Sequence, residues 1–304
     1  MKIVVYQDRN LVEKRIQETL SVIYTSLKKK YPNFEIIYVE HKNFELIKCD
    51  YAIMWNVYCK FKNDTINRKL IKEFQEKNND KLIVVELGFI NRDKYSSFGF
   101  DHISNFGNYP ELPNDTKRLD KLKITVKELV YNNSPDKYIL FCSQVPWDTQ
   151  VQDIDYEKWI IDTIKEIQKY SNRTIVFRRH PKHNSPTHIR EGKYKCTYYD
   201  ALFFKSNNLN VIISNNTLEN DFKNCYCVIA YNSTILVDAI LYGRPVLSGS
   251  NTSIVSDLTI KDFSTIENLN KFSKDDVTKC LSKVAYKQWS LSDFAKGKPF
   301  KYFF

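Results

Sequence analysis

Three short segments in the second half of the sequence carry side chains suited to holding an anion. Tyr231-Asn232-Ser233-Thr234 stands between an apolar run and an amphipathic stretch. Asn232, Ser233 and Thr234 there would cap a helix, and hydroxyls beside the open N–H groups of a helix N-terminus form a phosphate cradle. The plainer alternative is a cap with no ligand. Asp238 comes one turn later, before Gly243-Arg244-Pro245; a carboxylate there can accept from ribose hydroxyls or simply face solvent. Arg178-Arg179-His180-Pro181 ends a second apolar run. Proline stops the strand and fixes the turn, aiming His180 and Arg178 or Arg179 at the sheet edge, where either could neutralise a diphosphate. Cys142-Ser143-Gln144-Val145-Pro146-Trp147-Asp148 follows a third run and sets Ser143 and Gln144 on a loop able to meet the same ligand, or on an ordinary connection.

The elements that must position these segments are legible as alternating short apolar runs and amphipathic stretches, the pattern of βα units. In the first half, strands are expected at 3–6, 34–39, 51–55 and 81–86, and helices at 11–30 and 65–78; Ile66, Leu70, Ile71 and Phe74 share one face of the latter. Residues 87–113 are aromatic, contain Gly88, Gly99 and Gly107, and lack periodicity, which predicts an ordered functional loop. The polar, turn-rich stretch from Tyr131 to Asp136 reads as a linker. Beyond it the alternation restarts, with strands at 138–142, 174–178, 211–214, 225–231 and 245–248 and helices at 156–170, 234–242 and 275–285. At 304 residues the chain is long enough for two domains. They are placed at 1–133, with 286–304 packing back on it, and at 134–285, each an α/β unit with an open parallel sheet. In such sheets ligands bind at the carboxyl ends of the strands.

Composition narrows the classes. Hydrophobic residues make up 42% of the chain, with 20 Tyr and 19 Phe, which excludes a disordered tail. No run approaches the ~20 apolar residues of a membrane span. The opening Met1-Lys2-Ile3-Val4-Val5-Tyr6 reads as a buried strand and not as a signal peptide. The seven cysteines are scattered, so reduced, mostly buried thiols of a cytoplasmic protein are expected. A net charge of +10 would attract polyanions, but the excess is spread along both halves and supplied mainly by Lys.

The order strand-loop, Arg-His-Pro, Asn-Ser-Thr-helix-Gly-x-Pro over about residues 138–250 resembles the donor half of GT-B glycosyltransferases, closest to the capsule-polysaccharide and Kdo-transferase-like group and its phage-encoded relatives. The resemblance implies two Rossmann-like domains facing across a cleft, with a C-terminal helix crossing back to the first. It implies a nucleotide-sugar donor, UDP-linked by preference, with no essential metal or other cofactor. Ser143 and Gln144 would contact phosphate or sugar, His180 the diphosphate, and Ser233 and Thr234 phosphate oxygens. Asp238 stands where such enzymes often have Glu, which shortens the reach to ribose. The ending from Gln288 to Gly297 also resembles that of phage proteins of this kind. On the acceptor side, inverting transfer needs a base near the attacking hydroxyl. Asp101 is the first choice, then His102 and Asp93, with Asp8 and Glu86 as further candidates. The phage likeness, the charge and the aromatic segment favour DNA bearing a hydroxymethylated pyrimidine as acceptor, its base flipped out. A glycan or lipid-linked acceptor is the alternative, and a non-catalytic nucleotide- or DNA-binding protein on the same scaffold a third.

Overall fold

A computed structural model describes residues 1–7, 14–183 and 198–304. It divides into two compact units, Met1–Leu122 with Ser282–Phe304, and Lys123–Leu281. The division falls ahead of the turn-rich stretch at 131–136.

The first unit opens with β1 (Lys2–Tyr6), α1 (Lys14–Lys30), β2 (Glu35–Val39), β3 (Tyr51–Trp55), α2 (Ile66–Asn78) and β4 (Lys81–Leu87). The four strands pair in parallel, in the order β4-β3-β1-β2. Alternation along each strand sends side chains to two faces. Ile3, Val5, Ile53, Ile83 and Val85 meet Ile16, Leu20, Ile23 and Leu27 of α1, whereas Val4, Ala52, Met54 and Val84 meet Ile71 of α2. Asn79 ends α2 in the left-handed region at φ 56°, which asparagine tolerates better than most residues.

The expected loop after β4 is instead a reversal. β5 (Tyr95–Phe100) pairs antiparallel with β4, Ile83 opposite Phe100 and Leu87 opposite Ser96. Its residues are buried on both faces, Ser96 and Ser97 included, so no polar-apolar alternation marks it as a strand. Gly88 and Gly99 are needed at close approaches: a Cβ would lie 2.9 Å from Tyr95 at the first and 2.8 Å from the Tyr109 ring at the second.

The second unit has β6 (Tyr138–Cys142), α4 (Tyr156–Tyr170), β7 (Ile175–Arg178), α5 (Ala201–Ser206), β8 (Val211–Ile213), α6 (Leu218–Asn224), β9 (Cys225–Ala230), α7 (Ile235–Tyr242), β10 (Val246–Ser248) and β11 (Thr259–Ile260), with the short α3 (Lys117–Lys121) preceding it in the first unit. All six strands are parallel, in the order β11-β10-β9-β6-β7-β8. Ile139, Phe141, Phe177 and Ile229 pack on Ile160, Ile164 and Ile167 of α4. Asp155 caps that helix by accepting from Lys158 N at 3.0 Å.

α8 (Lys274–Tyr286) leads to β12 (Gln288–Ser290) and α9 (Leu291–Ala295). β12 joins the first sheet antiparallel to β5. Phe294, Phe300 and Phe303 surround Phe98 at ring separations of 5.5, 6.1 and 4.6 Å. The tail is anchored by Asp293, which is 1% exposed and accepts from Arg118 at 3.1 Å, Lys121 at 2.6 Å and Lys298 at 3.1 Å. Burial alone would raise its carboxyl, but the bonds from Lys121 and Lys298 and the Arg118 charge outweigh that and hold it well below the usual carboxylate range. The folded chain therefore binds fewer protons here than the unfolded one. The stabilisation is complete near neutrality and is lost as the pH falls below about 4 and on through the lowered value.

Replacing Asp293 with Asn leaves three cations without their carboxylate. A buried broken pair costs about 3 kcal/mol, reduced to about 2 here because the two lysines are half in solvent. Urea titration at neutral pH should show that loss, and the gap from the parent should shrink as the pH is lowered toward 3.

Candidate functional site

Parallel pairing brings the three segments together at the carboxyl edge of the second sheet. β7 and β9 flank β6, with Phe141 opposite both Phe177 and Ile229. The loops leaving these strands are therefore neighbours, and side chains join them. Ser143 N–H donates to Arg178 O at 2.9 Å, and His180 N–H donates to Ser143 Oγ at 3.3 Å. Asn232 N–H donates to Gln144 Oε1 at 3.2 Å, while Gln144 N–H donates to the Tyr156 hydroxyl at 2.7 Å. Residues 143, 144, 180 and 232 thus form one bonded row.

Within that row the chemistry differs from residue to residue. Lys182 N–H donates to His180 Nδ1 at 3.1 Å. An Nδ1 that accepts carries no proton, so the neutral ring holds its hydrogen on Nε2 as a donor. Arg178 turns from the edge: its guanidinium donates to Asp221 at 2.8 Å and to Asn216 O at 2.8 Å. Asp221 is fully buried and also receives Ser214, Asn216 and the Tyr138 hydroxyl. That arginine neutralises an interior carboxylate, and the expectation that it meets a ligand is corrected on that ground. Arg179 remains as the cation of the pair. Its guanidinium lies 4.6 Å from the Tyr198 ring, and its buried Nε has no hydrogen-bond partner among the described residues.

Ser143, Gln144 and Asn232 are buried, and Ser233 and Thr234 half-buried at the start of α7. Ile235 N–H donates to Ser233 Oγ at 3.4 Å, a local turn bond, and the N-cap residue Thr234 makes no side-chain capping bond to the helix. Asn232 Nδ2 donates to Thr252 Oγ1 at 2.9 Å and Gln150 O at 3.2 Å, leaving its Oδ1 and the Gln150 Oε1 as buried acceptors without partners among the described residues. Such unmet acceptors cost free energy unless a ligand donates to them. Asp238 is exposed one turn into the helix. Gln150, Gly249, Ser250 and Thr252 belong to this edge and are absent from the sequence expectation. Polar runs after short strands give them no distinguishing pattern. Ser250 and Thr252 share a hydroxyl bond at 2.6 Å, and Gly249 lets the Trp159 indole lie where a Cβ would be 2.5 Å away.

The acceptor-side candidates fare differently. Because β5 runs back along β4, Asp101 and His102 emerge at the amino ends of the parallel strands, Asp101 N–H donating to Leu82 O at 2.9 Å. That is the edge opposite the one where parallel sheets receive ligands, and it corrects both as base candidates. Asp101 holds φ at 65° and accepts from Asn108, while His102 Nδ1 accepts from Ile103 N–H at 2.9 Å; both serve the turn. Glu86 stands at the carboxyl edge. Asn56 Nδ2 donates to its Oε2, and Leu87 N–H to its Oε1 at 2.9 Å. Asn56 itself sits at φ 60°, held by its N–H to Val85 O. Asp93 is exposed in the β4–β5 turn, and Asp8 lies outside the described residues.

Six cysteines are free and buried, and Cys196 lies outside the described residues. Burial pushes the Cys49 thiol up to about 12 and the others that shift likewise upward, which leaves them protonated and inert. No cluster of three or more His, Cys, Asp or Glu suited to a metal occurs among the described residues. The chain holds one Asp-x-Asp, Asp153-Ile154-Asp155, and its second carboxylate caps α4. Among the described residues no helix is long and apolar enough to cross a membrane.

Two Rossmann-like units, the tail of the chain returning to the first sheet, define the GT-B fold. No protein-family model matches the sequence, and no curated protein matches it. Among solved structures, the chain is similar to Thermosulfurimonas dismutans KpsC, a β-Kdo 2,7 transferase. The identity is 14% and the TM-score 0.50, over 99% of this chain and 98% of that one. The Streptomyces nogalater glycosyltransferase SnogD is similar over 99% and 98% at 8% identity, with a TM-score of 0.27. The Methanocaldococcus jannaschii UDP-GlcNAc 2-epimerase is similar over 94% and 93% at 13% identity, with a TM-score of 0.30. At 14% identity the likeness to KpsC establishes the fold alone.

Gly249→Ala tests the packing behind the strand ends. The added methyl meets a rigid indole, so the variant should lose about 2 kcal/mol of stability and shift the tryptophan emission, both read in one denaturant titration.

Proposed function

We propose that the chain transfers a sugar from a nucleotide sugar to a hydroxyl acceptor, with the donor at the carboxyl edge of the second sheet. What carries the reading is the bonded row joining Ser143, Gln144, His180 and Asn232 beside the N-terminus of α7. His180 Nε2–H, the Arg179 guanidinium and the Ser233 and Thr234 hydroxyls offer donors to a phosphate. Such donors stabilise charge as the bond from the anomeric carbon to the leaving phosphate oxygen breaks. Asp238, on the exposed side of α7, is assigned to the ribose. The acceptor hydroxyl supplies the electron pair of the new bond, and its proton passes to a carboxylate. Glu86 is the choice for that base, because it alone of the described candidates is a strand-end carboxylate at the ligand-receiving edge of its sheet. A UDP-sugar is the first donor to try, and no metal is assigned a step.

The acceptor we favour is a glycan hydroxyl. The fold shared with a β-Kdo 2,7 transferase supports it. Most rings of the aromatic segment that suggested DNA are engaged: Phe89 and Phe98 are buried and Phe100 packs on Phe303 at 4.9 Å, while Phe106 is exposed beside the His102 ring. Wedging between bases or holding a flipped one requires rings that are free to stack.

The test is nucleotide release from a panel of nucleoside diphosphate and nucleoside monophosphate sugars, alone, with glycan acceptors and with hydroxymethylcytosine DNA. Release stimulated by a glycan is expected. Stimulation by the DNA alone would reverse the acceptor assignment, and no turnover with any donor would leave a binding protein. His180→Ala should lower turnover by about a hundredfold or more; full activity in that variant removes the histidine from the site. Glu86→Gln should cut transfer by about 10²–10⁴ while leaving donor affinity unchanged, separating a base from a fold-supporting carboxylate.

A further inference from the structure

A second site lies wholly within the first unit, where α3 meets the tail. Lys117, Arg118, Lys121, Lys298 and Lys301 line a pocket of about 370 Å³ together with Trp289, Tyr286 and Tyr302. Two carboxylates reach four of these five cations. Asp293 takes Arg118, Lys121 and Lys298, and Asp115 lies 3.5 Å from Lys117 while accepting from the Tyr286 hydroxyl at 2.6 Å. The pocket therefore keeps a surplus of positive charge in a concave space. Lys301 contacts the Tyr302 ring at 4.7 Å, and its ammonium is exposed. Trp289 is 3% exposed, and its buried indole N–H has no hydrogen-bond partner among the described residues. An excess of positive charge in a concave space is what an anionic, oxygen-rich ligand would answer.

We propose that this pocket binds an anionic segment of a glycan, one or two sugar units bearing carboxylate or phosphate groups. The volume suits such a unit and exceeds what a bare phosphate fills. Nucleic acid is the poorer fit. Sequence-neutral binding of a single strand needs a groove with ring faces open for stacking. Here Arg118 lies over Trp289 at 4.1 Å, Tyr302 packs beside that ring at 5.9 Å, and Lys301 covers Tyr302. The rings form walls, and the cations are left to recognise the ligand. That the anion's bearer is a glycan rests on the glycosyl-transfer reading; the anion site itself does not.

Calorimetric titration of the full chain tests this with three probes: tetragalacturonic acid, the same tetrasaccharide with its carboxyls reduced, and octathymidylate. The uronate should bind, and its reduced counterpart should bind at least about tenfold more weakly. Lys117→Glu with Lys301→Glu reverses two exposed charges outside the packed core and should weaken the uronate by about tenfold or more. Equal binding of the acid and reduced forms, or undiminished uronate binding by the double variant, overturns the proposal. So does octathymidylate binding more tightly than the uronate and losing affinity in the same variant. The His180→Ala chain should bind the uronate normally. If no donor turns over while the uronate titrations behave as expected, the transfer reading fails and the anion site stands.

Discussion

Parallel strand pairing is the constraint from which the arrangement of the second unit follows. With every strand running the same way, each connecting loop at the carboxyl edge leaves beside its neighbour, and the register decides which residues meet. Phe141 opposite Phe177 and Ile229 fixes Ser143 next to His180 and Gln144 next to Asn232. A slip of one residue would turn Ile139 and Phe141 away from α4, at a cost of roughly 1.5–3 kcal/mol for each large apolar side chain exposed. The core thus enforces the site. The polar row at the strand ends exists because the apolar layer beneath permits one alignment.

The same constraint, broken once, explains the first unit. β5 and β12 run against the other strands, and the reversal carries the chain from the carboxyl edge at Leu87 back to the amino edge at Asp101. A carboxylate fourteen residues beyond Leu87 is thereby separated from Glu86 by the length of a strand. What the antiparallel pair contributes is a platform. Gln288 on β12 accepts from Phe89 and Ile90 N–H at 2.7 and 2.9 Å through one side-chain oxygen, tying the tail to the turn that follows Glu86.

Legibility in the sequence tracked how local each signal was. The parallel strands and the helix 156–170 announce themselves by period, because each buries a stripe of its own residues; in 66–78 the expected stripe leaves Ile66 and Leu70 exposed, and the buried residues are Arg68, Ile71 and Gln75. The three strand ends carry polar residues where an apolar run stops, a signal contained within a few positions. β5 was illegible because Tyr95-Ser96-Ser97-Phe98-Gly99-Phe100 is covered on both faces by partners distant in sequence, which leaves no alternation to read. Arg178 looked like Arg179 because neighbouring arginines differ only in which way the strand points them, and Asp221, the partner that claims the first, lies 43 residues on. Gln150 and Thr252 were missed for the same reason: it is the Asn232 side chain that makes them part of one edge.

Charge shows the point most fully. Along the sequence the basic excess is diffuse, which weakens the case it makes for a polyanion such as DNA. Folding concentrates part of it. Lys117, Arg118 and Lys121 stand on one short helix, Lys298 and Lys301 on a tail that returns after more than 170 residues, and Asp293 binds the two groups together. A single carboxylate can neutralise one of its three cations in net charge while orienting all of them. The contact that fastens the tail therefore also leaves a cationic surface beside it. Tail anchoring and anion attraction share their residues, so the same fall in pH that protonates Asp293 would loosen the tail while adding positive charge to the pocket.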